Sequence, residues 1–476
     1  MNEWTFQRDA ITTFRFVRAE FDAERGEARL VYAFDAGPEL VETLSFPGAP
    51  FALDAARAAE VTRALQLLHL IAGVSYYKAA VPAEIRIESY AIDAETAAFL
   101  TEVYENGLGE FAYRNGLSLR GTIRFPSLLP LLQGEGRGED GVGVAARLDQ
   151  HHPLPNPPPE GEGVRARALV AIGGGKDSLV SIELLRTAGV EQTVAWIGAS
   201  PLIRACAERT GLPTLNVSRQ LAPQLFEFNR QGAWNGHIPV TAVNSAILAL
   251  AALLTGHDQV VFSNERSASY GSLIPGAGEV NHQWSKGWDF ERAFARELRR
   301  VAPGVIYYSL LRPLSELAVA RQFARLDRYD AHFSSCNRNF HLLGERPAAR
   351  WCGVCPKCHF VFLALAPFLP KPRLMAIFGR NLLDEASLAP GFDALVEYQD
   401  HKPFECVGEG RESRAAFHAL SLSPSWREDA LVARFAAEIE PQLDAADLDL
   451  APLLEPTGEH GIPNQLWERL GAVFRS

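Results

Sequence analysis

The chain reads as an α/β protein built on a doubly wound parallel sheet, preceded by an α+β region and followed by a helical region. Three observations point there. Short apolar runs alternate with helical patterns between Arg167 and Tyr308, the rhythm of βαβ units. The first run opens directly into Gly173-Gly174-Gly175-Lys176-Asp177-Ser178 and then an apolar helical face. Beyond Phe360 the apolar positions recur at helical spacing.

Residues 1–132 are expected to form the α+β domain. Thr13-Phe14-Arg15-Phe16 and Arg29-Leu30-Val31-Tyr32 predict strands, and Asp54 caps an Ala- and Leu-rich helix running towards Leu70. No chemical motif stands out here, so a scaffold or substrate-specificity role is expected. Gln133–Gly163 holds seven Gly and five Pro in 31 residues. Leu154-Pro155-Asn156-Pro157-Pro158-Pro159-Glu160-Gly161 cannot build helix or sheet ladders. Residues 133–163 are therefore expected to be a disordered surface insertion, with a proline-rich docking site as the alternative reading. His151 and His152 fall inside it and are not taken as ligands.

Residues 164–330 carry the alternating pattern. Ala168–Ile172, Thr193–Ile197, Pro213–Val217, Gln259–Phe262 and Val305–Tyr308 predict strands. Between them, helices are expected from the Gly-rich loop to Gly189, from Leu202 to Arg209 with Gly211 closing it, from Val240 to Leu254, and from Phe290 to Arg300. A ligand should sit at the carboxyl ends of such strands. A cysteine-rich module is expected over 331–365 and a mostly helical region over 366–476.

The 476 residues are 47% hydrophobic and 22% charged, ordinary globular material. A net charge of −11 argues against a broad nucleic-acid face, so no nucleic-acid partner is expected. Met1-Asn2-Glu3-Trp4 lacks a basic region followed by an apolar one. The longest apolar stretch, Ala246–Leu254, is too short to span a bilayer. A cytoplasmic protein with no membrane insertion is expected.

The Gly-rich loop carries the first chemistry. Glycines let backbone N–H groups crowd towards one anion, and the following helix adds its positive end. Lys176 supplies a cation, Asp177 can hold Mg²⁺, and Ser178 can donate to a phosphate oxygen. The spacing fits neither the P-loop nor the G-x-G-x-x-G fingerprint. Ala171-Ile172-Gly173-Gly174-Gly175-Lys176-Asp177-Ser178 instead resembles the Ser-Gly-Gly-x-Asp-Ser loop of the PP-loop ATP pyrophosphatases, with Gly173 standing where that family usually has serine. The resemblance implies a PP-loop domain that binds ATP and Mg²⁺ through Gly173, Gly174, Gly175, Lys176, Asp177 and Ser178, with Lys176 and Asp177 serving the chemistry. Ile238–Ser245 looks like the segment opening the next long helix in the 7-cyano-7-deazaguanine synthase branch. Val261-Phe262-Ser263-Asn264-Glu265 ends where that branch places nucleotide- and substrate-facing residues, which implies that role for Asn264 and Glu265.

Cys336 is followed, after fifteen residues, by Cys352-Gly353-Val354-Cys355-Pro356-Lys357-Cys358. Four thiolates at this spacing can close a tetrahedral structural zinc site. An iron–sulfur cluster is the second reading, since C-x₂-C-x₂-C also occurs in ferredoxins. The synthase branch carries a similar four-cysteine zinc site, which favours zinc. Cys206 and Cys406 read as ordinary residues.

The Gly-rich loop, Ser263-Asn264-Glu265-Arg266-Ser267, Asn281-His282-Gln283-Trp284-Ser285-Lys286 and the cysteine cluster together resemble the UDP-N-acetylmuramoyl-L-alanyl-L-glutamate epimerase family. That resemblance spans most of the chain outside 133–163. It implies ATP- and Mg²⁺-dependent conversion of the terminal L-glutamate of a UDP-muramoyl dipeptide to D-glutamate, after a ligase has added that L-glutamate. Its proton-transfer residues are not identifiable from sequence; His237, Glu265, His282 and Lys286 are candidates, and Arg266 can pair with a substrate anion. The alternatives are a PP-loop synthetase acting on another carboxylate or on tRNA, and a non-catalytic nucleotide sensor.

Overall fold

The computed structural model describes residues 4–128, 166–274, 278–340, 347–398 and 402–475. The Gly/Pro-rich segment, with His151 and His152, lies outside the described residues.

A nine-stranded sheet organises the described chain. Its strands are β1 (Thr13–Asp22), β2 (Glu27–Phe34), β3 (Leu40–Ser45), β4 (Glu84–Ile87), β5 (Arg167–Ala171), β6 (Glu191–Ile197), β7 (Thr214–Gln220), β8 (Gln259–Phe262) and β11 (Ile306–Ser309). A separate antiparallel hairpin holds β9 (Ser272–Ile274) and β10 (Gly278–Val280). The spatial order is β11-β8-β5-β6-β7-β3-β2-β1-β4. From β11 to β7 all neighbours are parallel; β7, β3, β2 and β1 follow antiparallel, and β4 returns parallel to β1. The expected mixed α/β architecture with a parallel-dominated sheet and a helical C-terminal region is what the chain adopts.

Successive strand residues face opposite layers, and the core divides accordingly. Leu169 of β5 packs with the helices Ala55–Ala72, Val240–Thr255 and Trp288–Val301. Its neighbours Ala168 and Val170 pack with Lys176–Thr187, Glu316–Phe323 and the helices that follow Pro356. Both faces of the strand are therefore dry, which is why it reads as a continuous apolar run rather than an alternating one. Asp54 does cap the first long helix, its side chain accepting from Arg57 N at 2.8 Å.

No break in the sheet occurs between residues 1–132 and 164–330. β3 pairs with β7 through Thr43, Leu44 and Ser45, so the N-terminal strands extend the central sheet. Arg219 of β7 donates to Glu42 of β3 at 2.7 Å, and the Glu42 side chain is wholly buried. Removing either partner would strand a buried charge at a cost of about 3–5 kcal/mol. Composition saw a boundary at residue 132 because only the Gly/Pro-rich segment differs in texture; strand pairing across it is a long-range choice.

Two of the buried histidines, His69 and His257, are expected to make stability pH-dependent. His69 holds Tyr90 Oη at 2.9 Å and Val31 O at 3.0 Å. His257 holds Thr255 Oγ1 at 2.7 Å and Thr193 Oγ1 at 3.0 Å. Burial pushes both imidazoles down to about 4. The unfolded chain keeps them near 6.5, so below that pH it binds protons the folded chain refuses. Stability contributed by the neutral rings is present above pH 6.5 and is lost as pH falls towards 4. Urea midpoints measured from pH 7 to pH 5 should decline, by up to about 1.4 kcal/mol per pH unit for each ring. His257→Gln should flatten that decline, and an unchanged slope would contradict it.

Candidate active site

The Gly-rich loop leaves β5 at its carboxyl end, where the parallel strands converge on a cavity of about 340 Å³. Gly174 adopts φ +80°, a left-handed conformation that favours glycine. Its carbonyl accepts from Ser334 N at 2.9 Å, fastening the loop to the segment before Cys336. Gly175 caps the helix Lys176–Thr187 and, being glycine, offers the first-turn N–H groups no side-chain cap. Those donors, at the positive end of a twelve-residue helix, suit an anion. Gly173 has open space where a Cβ would stand. Gly173, Gly175, Asp177, Ser178, Asn264 and Glu265 all line the cavity. Trp196 Nε1 and Ser263 Oγ, also in its wall, are buried without a partner among the described residues.

Lys176 sits elsewhere than expected. Its side chain is buried in the wall behind the loop, where Nζ donates to the carboxylates of Asp177 and Glu316. Burial opposes its charge, but those two carboxylates outweigh it and hold the ammonium well above the ordinary lysine range. Asp177, Glu265 and Glu316 each bring a carboxylate oxygen within 4.8 Å of the others. Burial pushes Glu265 up to about 7, helped by the neighbouring Glu316 and Asp177 charges. Burial also works against Glu316, but Lys176 and Lys357, the latter at 3.5 Å, hold it well below the usual carboxylate range. An oxygen-only trio of this kind can hold Mg²⁺. Glu316 was missed because Ser315-Glu316 at a helix start looks like ordinary capping sequence.

The other candidates separate. Lys286 lines the cavity. His237 and His282 pack edge to face at 5.8 Å outside its lining, and burial pushes His282 down to about 3. Arg266 is engaged with Pro313 O and Thr457 Oγ1. Asn281 and Trp284 line a second cavity of about 670 Å³, so the Asn281–Lys286 turn borders both.

The four cysteines converge. Cys358 Sγ lies 3.7 Å from that of Cys352 and 3.5 Å from that of Cys355, and all four sulfurs, Cys336 included, fall within 4.8 Å. Thiolates about 2.3 Å from one tetrahedral ion stand roughly 3.8 Å apart, so the donor set suits a single ion. Cys336, Cys355 and Cys358 belong to the same core as β5, so the site is structural in placement.

Two family models account for most of the chain: that of the MurL N-terminal domain matches residues 5–310, and that of the MurL C-terminal domain matches residues 332–449. The chain belongs to the MurL family. A relative from Xanthomonas oryzae pv. oryzae is 68% identical over 470 residues, covering 98% of this chain and 99% of the relative. One from a Micromonospora species is 40% identical over 469 residues, covering 97% and 98%. Both are named UDP-N-acetyl-alpha-D-muramoyl-L-alanyl-L-glutamate epimerase. The cavity draws on both MurL segments: the loop, Asn264, Glu265 and Lys286 come from the first, and Lys357 and Cys406 from the second. Among the described residues, no helix is long and apolar enough to cross a membrane.

Proposed function

We propose that the chain epimerises the terminal L-glutamate of a UDP-N-acetylmuramoyl-L-alanyl-L-glutamate precursor, using ATP and Mg²⁺. The reaction follows from near full-length likeness to relatives of that name. The use of ATP rests on one observation: a helix N-terminus with no side-chain N-cap, led in by three glycines at the end of a parallel strand, opens into the cavity that Asp177 and Glu265 of the acidic trio also line. This arrangement supports the PP-loop reading of the fold.

The chemistry explains an ATP site on an epimerase. Removing Cα–H next to a free carboxylate piles charge on an existing anion. Joining that carboxylate to AMP removes the charge and lets the acyl group accept the electron pair. The first-turn N–H groups and Ser178 would bind the phosphates, and Lys176 would keep Asp177 and Glu316 in place. Asp177 and Glu265 would hold Mg²⁺, which when bound offsets charge on the departing pyrophosphate. Zinc on Cys336, Cys352, Cys355 and Cys358 would fix the wall that Ser334 ties to the loop. Work on a UDP-linked precursor would suit a cytoplasmic enzyme acting after a ligase that adds L-glutamate.

The test is incubation with ATP, Mg²⁺ and the UDP-muramoyl dipeptide in D₂O. Deuterium should appear at the glutamate Cα, with AMP formed in the absence of any amine. AMP appearing only when ammonia is added would establish a synthetase instead.

A further inference from the structure

Cys406, unremarkable in sequence, shares the cavity with the Gly-rich loop. Its half-buried Sγ accepts from Lys286 Nζ at 3.0 Å. Lys357 Nζ donates to the Cys406 carbonyl, and His282 Nε2 stands 3.9 Å from the sulfur. The charged groups around the thiol are Lys286, Lys357, Glu316 and the adjacent Glu405, while His282 is held neutral by burial. Burial alone would raise the thiol, but the two ammoniums more than reverse this and bring it below the ordinary cysteine value. A thiol paired with a cation, beside a phosphate-type loop, is far from the inert buried cysteine of a core.

We propose that Cys406 is the group that moves the Cα proton of the substrate glutamate, with Lys286 positioning its thiolate; this rests on the epimerase reading above. The thiolate takes the proton, the Cα–H bond breaks, and its electron pair passes into the activated acyl group as an enolate. Water then protonates Cα on the opposite face, and the hydroxide left behind removes the S–H proton. Sulfur, carbon and water are thereby returned, with only the configuration at Cα changed. Lys286 offsets the thiolate before transfer and the acyl oxygen's new charge afterwards.

The experiment uses the full chain with ATP, Mg²⁺ and the UDP-muramoyl dipeptide in D₂O, scoring deuterium at Cα per AMP formed. Cys406→Ser should lower this ratio at least 100-fold. A ratio within threefold of the wild type would overturn the proposal alone, whereas no AMP from the wild type would overturn the epimerase reading and this proposal with it. Lys286→Met should move the acidic limb of the exchange profile up by at least one pH unit, and an unmoved limb counts against the thiolate. Should Cys406→Ser fail to fold, alkylation of the wild type with iodoacetamide decides, the site being mapped by peptide mass spectrometry. Exchange should fall in proportion to modified Cys406, and exchange persisting with Cys406 wholly alkylated overturns the assignment.

Discussion

Asp177→Asn is expected to cut AMP formation about 10³-fold while leaving the chain folded. The carboxylate touches both halves of the site. It lines the cavity at the helix N-terminus, and it stands with Glu265 and Glu316 in the acidic trio. Asparagine keeps the shape but removes the charge that a divalent ion would need. The fold should tolerate the change because the Asp177 side chain is 25% exposed, and Lys176 keeps its contact with Glu316. Thermal midpoints of the two proteins should agree within a few degrees. AMP formation within tenfold of the wild type would remove Asp177 from the proposed nucleotide chemistry.

Cys358→Ser is expected to have the larger effect on stability. Cys358 is wholly buried and its sulfur is close to two of the other three. Structural zinc contributes about 10–16 kcal/mol to folding in small peptides, comparable to the whole stability of an ordinary domain of about 5–15 kcal/mol. Losing one of four thiolates should therefore release the ion and unfold at least the C-terminal segment. Elemental analysis should give about one zinc per wild-type chain and close to none in the variant. Chelation of the wild type should lower its thermal midpoint and, through the Ser334–Gly174 hydrogen bond, slow AMP formation as well. A brown protein absorbing in the visible would reject zinc.

Lys176 and Cys406 both have surroundings that their neighbours in sequence do not announce. A lysine after three glycines suggests a cation reaching for phosphate, yet the structure turns it inwards to Glu316, 140 residues away. A solitary cysteine suggests filler, yet the fold presses it against Lys286. Each outcome depends on which distant element supplies the partner. Glu316, Lys357 and the Cys406 segment all arrive from beyond the central strands, so no local pattern announces them.

By itself the sequence determined what short-range forces decide. Apolar runs with glycine punctuation specify β5, the loop and its helix, and turn-permitting residues between cysteines specify a cluster of thiols. Only the tertiary structure decided that β3 joins β7, that Lys176 neutralises the buried Glu316 carboxylate, and that two lysines converge on Cys406. These are contacts between segments far apart in the chain, selected by packing and by the cost of burying charge without a partner, and neither leaves a periodic trace in residue order.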